Sequence, residues 1–131
     1  MKLDHIGIAV NDIETAINFY EAALGLPLTQ VLEVPDQQVR VAFLPAGESN
    51  IELVQPTSPE SSTARFIEKR GEGIHHICLE VDDIEATMEQ LRAKGVPLVD
   101  KVPRPGAHGR VAFVHPKGTH GVLLELVEHA R

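Results

Sequence analysis

The chain has 131 residues, 43% of them hydrophobic and 24% charged, and its twelve Lys and Arg against nineteen Asp and Glu give −7 with seven His neutral. That is one ordinary globular domain with a core large enough to fold without staples, and a single Cys excludes an internal disulfide framework. The acidic balance argues against nucleic acid as a partner, and no stretch nears the ~20 apolar residues of a spanning helix. The start, MKLDHIGIAV, lacks an apolar signal region, so the expectation is a cytoplasmic protein with no membrane partner.

Residues 3–10 alternate and are rich in β-branched side chains, which predicts a strand. Asn11-Asp12 can cap a helix, and Ile13, Ile17, Tyr20 and Leu24 fall at helical spacing along one face. Gly25 ends it and Pro27 bars continuation. Strands follow over about 28–34, 39–44 and 50–55, separated by the turns Pro35-Asp36 and Pro45-Ala46-Gly47. Residues 57–60 read as a loop, and 61–70 as a short helix burying Phe66 and Ile67. From Ile74 the same order recurs, with a helix over 83–94 carrying Ile84, Met88 and Leu91.

The recurrence is a repeat in the residues themselves. DHIGIAVNDIE, residues 4–14, lies over HHICLEVDDIE, residues 75–85, with His5 on His76 at an offset of 71. One residue fewer at the end of the second helix changes the offset to 70, and Gly25, Pro27 and Leu28 then meet Gly95, Pro97 and Leu98. Val41-Ala42-Phe43 falls on Val111-Ala112-Phe113 at the same offset. Three further residues near Thr119 to Gly121 bring Ile51-Glu52-Leu53-Val54 onto Leu124-Glu125-Leu126-Val127 at an offset of 73. The expectation is one domain built twice: a βαβββ module over about 1–56, a linker helix within 57–72, and a second module over 73–131.

Alternation along a strand then sorts the repeated side chains. Ile6, Ile8 and Val10 must face the amphipathic helix, leaving His5, Gly7 and Ala9 on the other face. In the last strand Ile51 and Leu53 face the helix and Glu52 points away. The second module repeats this with His76 and Cys78, then Glu125. Each module therefore presents one His and one Glu on the face away from its helix. Imidazole and carboxylate together suit borderline and harder divalent cations, so His5, Glu52, His76 and Glu125 form a candidate set of metal ligands. Cys78 reads as a small buried thiol.

These residues resemble the vicinal oxygen chelate superfamily, which includes glyoxalase I, over the whole chain. Within it the chain is most similar to the methylmalonyl-CoA epimerases. The likeness rests on Asp4 to Val10, Ile51-Glu52-Leu53, Phe66 to Gly71, Gly73 to Ile77, Pro105-Gly106-Ala107-His108-Gly109, and Val114-His115-Pro116-Lys117 running on to Leu126. The resemblance implies an α+β fold in which two βαβββ modules form a curled mixed sheet around one metal site. It places the metal on His5, Glu52, His76 and Glu125, the ion being cobalt, nickel, manganese or zinc. It implies epimerisation of methylmalonyl-CoA at C2 through a metal-chelated enolate, in a homodimer. Glu125 and Glu52 are then the expected acid/base groups.

Some epimerases use a further glutamate on the third strand, and Gln38-Val39-Arg40-Val41-Ala42 offers none, so Glu52 stands in for it. For the coenzyme A thioester, Arg40, Arg104 and Lys117 are candidate contacts, with Gly106 letting the loop backbone approach. A glyoxalase I-type lyase acting on a glutathione hemithioacetal shares the same ligands. A non-catalytic binding protein of this fold is the third reading.

Overall fold

The structure is a computed structural model that describes residues 1–130. It divides into two compact units, His5–His75 and Met1–Asp4 with the chain from His76 onward. Each is a βαβββ module, as the repeat predicts.

In the first unit β1 (Lys2–Ala9), whose first three residues are grouped with the second unit, leads through α1 (Ile13–Ile17) to β2 (Gln30–Val34), β3 (Val39–Ala46) and β4 (Ser49–Pro56). The strand order is β2-β3-β4-β1, with β1 parallel to β4 and the other pairs antiparallel. Alternation does what the sequence requires: Val10, Ile13, Ala42, Leu44 and Leu53 form the core under the helix, joined by Ile8, Ile17 and Tyr20. The linker helix α2 (Ser62–Arg70) is capped by the Ser61 hydroxyl, which accepts from Ala64 N at 3.0 Å. Its Phe66 ring stands nearly perpendicular to the His75 ring, centroids 5.0 Å apart, and the Arg70 guanidinium lies over the same phenyl ring.

In the second unit β5 (Gly73–Glu80), which begins three residues before the division, leads through α3 (Ile84–Ala93) to β6 (Arg104–Pro105), β7 (Gly109–Val114) and β8 (Leu124–His129). The order is β5-β8-β7-β6, with β5 parallel to β8. Val81, Ile84, Met88, Ala112, Val114 and Leu126 make its core. Among the described residues no helix is long and apolar enough to cross a membrane.

The helices start alike. Asp12 accepts from the Glu14 amide at 3.3 Å and the Thr15 hydroxyl at 2.6 Å, and Asp83 accepts from the Ala86 amide at 3.0 Å. The last strand of each unit adds a second cap. Gln55 Oε1 accepts from Ile13 N at 2.8 Å, and Glu128 Oε1, in the equivalent place, accepts from Ile84 N at 3.0 Å. The Thr15 hydroxyl, the largest influence on it, holds the Asp12 carboxyl below the ordinary aspartate value.

Two expectations are corrected. The first helix is α-helical only to Ile17 and continues as a π-helical segment over Asn18–Ala23, with Leu24 N donating to Phe19 O. The one-residue surplus of the first module is absorbed there, because a wider turn takes an extra residue without moving the strands on either side. Leu24, expected on the buried face, is turned outward and is 56% exposed. The second module's copy of β2 is also cut to two residues, Arg104–Pro105, after an isolated bridge between Leu98 and Val114. Pro103 and Pro105 have no amide to donate to a ladder. The Asp100 side chain supplies the acceptor for Phe113 N instead, at 2.8 Å.

Candidate active site

In the first unit the register sets Gly7 beside Glu52 on one side and Phe43 beside Glu52 on the other. His5 precedes Gly7 by two residues and so shares its face. His5 Nδ1 lies 2.9 Å from Glu52 Oε2. The second unit repeats the construction. Cys78 and Phe113 flank Glu125, and His76 Nε2 lies 3.0 Å from Glu125 Oε1. The Phe113 ring meets the His76 ring edge to face at 5.8 Å, limiting its rotation.

All four groups are deeply buried: His5 is 6% exposed, Glu52 8%, His76 7% and Glu125 5%. Taking a carboxylate out of water is costly, and burying it against an imidazole is a poor way to gain stability. Two such pairs in corresponding registers are better explained by chemistry than by folding. Imidazole nitrogen and carboxylate oxygen are donors for a borderline divalent ion, and a carboxylate is also a proton acceptor.

The remaining sequence candidates fall elsewhere. Arg40 shares the helix-facing side of β3 with Ala42 and Leu44, and its guanidinium meets Glu14 Oε2 at 3.3 Å. The equivalent Arg110 meets Glu85 at 2.9 Å and Glu128 at 3.1 Å, contacts that raise its pKa, Glu85 most. Arg104 Nε lies 3.0 Å from Asp100 Oδ1, while the other Asp100 oxygen accepts from Phe113 N. Lys117 is exposed in a turn where its amide donates to His115 Nδ1 at 3.0 Å. Gly106 donates to Gly109 O within the β6–β7 hairpin, and a Cβ on it would stand 2.7 Å from Val111 Cγ1. Packing against Val111 is reason enough for that glycine. Cys78 is fully buried against Val111 and Val127.

Phe43, Phe113 and Asp100 are site neighbours that no sequence motif singles out. The phenylalanines were visible as part of the repeated Val-Ala-Phe, but only the strand register sets them directly across from the glutamates. No pattern announced Asp100, since its partners lie thirteen residues ahead and four ahead in a region without regular structure.

Residues 4–113 match the Glyoxalase/Bleomycin resistance protein/Dioxygenase superfamily. The ethylmalonyl-CoA/methylmalonyl-CoA epimerase of Cereibacter sphaeroides is 41% identical over 128 residues, covering 95% of this chain and 96% of that protein. The crystal structure of methylmalonyl-CoA epimerase from Mycobacterium tuberculosis superposes with a TM-score of 0.94 at 41% identity, over 99% of this chain and 89% of that one. A variant of the Streptomyces coelicolor methylmalonyl-CoA epimerase, in complex with 2-nitronate-propionyl-CoA, gives a TM-score of 0.95 at 38% identity over 100% and 99% of the two chains. The chain belongs to the glyoxalase/bleomycin resistance protein/dioxygenase superfamily, has its fold, and stands within it among the methylmalonyl-CoA epimerases.

Proposed function

We propose that the chain is a metal-dependent methylmalonyl-CoA epimerase that inverts C2 of its substrate by removing a proton from one face and returning one to the other. The observation that carries this reading is the buried His–Glu pair repeated in both modules, in a chain whose epimerase relatives match it over almost its whole length. The similar structure bound to a coenzyme A analogue supports the substrate class. His5, Glu52, His76 and Glu125 fit a divalent ion by donor chemistry and burial, and would hold it between them; cobalt, nickel, manganese and zinc are the candidates. When bound, the ion supplies Lewis-acid stabilisation of the negative charge that develops on the thioester oxygen.

The chain's own residues move the proton. Glu125 takes it from C2 and Glu52 delivers one to the opposite face, each carboxyl free of the ion or only loosely held by it while it carries the proton. Phe43 and Phe113 shield these carboxylates from water. Arg104, oriented by Asp100, and Lys117 are the proposed contacts for the coenzyme's phosphates. Gly106 keeps the neighbouring hairpin close, and Arg40 joins them only by leaving Glu14. The reading carries with it a homodimer working in the cytoplasm. The test is NMR of deuterium entry at C2 of methylmalonyl-CoA in heavy water. Exchange is expected to stop on full demetallation and return with added cobalt. Exchange that survives demetallation, or fails with all four ions, would overturn the proposal.

A further inference from the structure

The second unit gathers another set of ligating side chains at the start of β1 and the ends of β5 and β8. His129 Nε2 lies 2.6 Å from Asp4 Oδ1 and 4.0 Å from Glu80 Oε1, and donor atoms of the three residues all fall within 4.8 Å of one another. The Asp4 side chain is 12% exposed, while those of His129 and Glu80 are 38% and 34% exposed, so the group has a buried floor and an open rim. Lys2 Nζ stands 3.9 Å from Glu80 Oε1 on a side chain that is half exposed and can swing away.

The set is not inherited from the duplication. The positions equivalent to Asp4, Glu80 and His129 in the first unit are His75, Ala9 and Pro56, which cannot ligate together.

We propose that Asp4, Glu80 and His129 bind a second divalent cation of the zinc, cobalt and nickel class, with water completing its shell. One imidazole and two carboxylates suit that class better than calcium or magnesium, which prefer oxygen alone. Donors at 2.0–2.2 Å around a tetrahedral ion lie about 3.4 Å apart, and the observed 2.6 and 4.0 Å separations straddle that spacing. Binding replaces the Asp4–His129 hydrogen bond: Nε2 presents its lone pair to the ion, and the ring proton moves to Nδ1 or to solvent. The ion joins residues from three strands, and so fastens Met1–Asp4 to the rest of its unit.

The test is titration of the demetallated full chain with zinc ions by calorimetry, with metal content measured after dialysis. Two ions per chain are expected for the wild type and one for His129→Ala, with deuterium exchange at C2 held within twofold. Glu80→Gln, an isosteric change at a part-exposed strand end, is expected to weaken one binding event at least tenfold and leave the other unchanged. His5→Ala separates this site from the proposed catalytic one: it should lose the other ion and keep this one. A single ion in the wild type that persists in both His129→Ala and Glu80→Gln, or two ions retained in both, would overturn the second site. A single ion lost in His129→Ala but kept in His5→Ala would uphold it and sink the catalytic metal instead.

Discussion

The two modules hold the same His, Glu and Phe in the same registers, yet they carry them beneath helices wound differently. α3 is regular from Ile84 to Ala93, whereas the first helix changes to π winding at Asn18. From Ile13 to Gly25 the chain advances twelve residues, and from Ile84 to Gly95 eleven. Both helices still end on a glycine with positive φ, 92° at Gly25 and 80° at Gly95. Both also deliver the next strand to the same place, since Thr29 N donates to Phe43 O just as Val99 N donates to Phe113 O. The registers around the glutamates are therefore protected while the cover varies. What the duplication preserves is the set of strand positions that fixes the His–Glu pairs.

The largest expected effect asks whether the pairs, alike in register although His5 meets its glutamate through Nδ1 and His76 through Nε2, are equal in function. Glu125→Ala should slow C2 deuterium exchange by roughly 10²–10⁴, and Glu52→Ala should do so by a smaller factor within that range. Equal losses would make the modules interchangeable in the chemistry. Next come single-residue deletions in the helices. Removing Ala93 from α3, which has no surplus residue, turns everything after it by about 100° and pulls Val96 and Leu98 off the core. The expected cost is at least ~3 kcal/mol by chemical denaturation. Removing exposed Ala22 should instead restore α winding, with a change below ~1 kcal/mol. A similar cost at both sites would show that the π segment is no reservoir.

Cys78→Gly gives the second module the residue that the first has at Gly7. It empties a fully buried position against Val111 and Val127, and an increase of ~2 kcal/mol in instability is expected. Asp83→Ala should cost ~1 kcal/mol through its lost cap. The smallest effect concerns Asp12. Because its native pKa lies below 3.8, its contribution is fully present above that value and is lost as pH falls through the lower native one. The pH dependence of unfolding below pH 4 should therefore flatten slightly in Asp12→Asn.

Most of this architecture was legible because period-2 alternation and the internal repeat reinforce each other. His5 and Glu52 could be assigned to one face from alternation alone, and His76 with Glu125 followed by offset. The winding of the first helix was not legible. Ile13, Ile17 and Tyr20 keep α spacing, and only the single-residue gap between the copies hinted at the change. The truncation of β6 depends on Asp100 replacing a strand's backbone acceptor, a substitution of side chain for main chain that periodicity does not register. Arg40 looked like a candidate for an anionic ligand because its charge is visible in sequence, but which face of β3 it takes is fixed only by the register. That register sets it opposite Gln55, on the helix side.

The π segment also has a consequence for motion. Of the residues Asn18–Ala23 Tyr20 alone packs against the core and none is fully buried, so less apolar contact opposes unwinding there than in α3. In α3, by contrast, Met88 is locked into the core. Amide hydrogens of the first helix beyond Ile17 should therefore exchange with solvent through small local openings, while those around Met88 wait for cooperative unfolding of the unit. One copy of a duplicated fold thus acquires a breathing element, and its twin remains still.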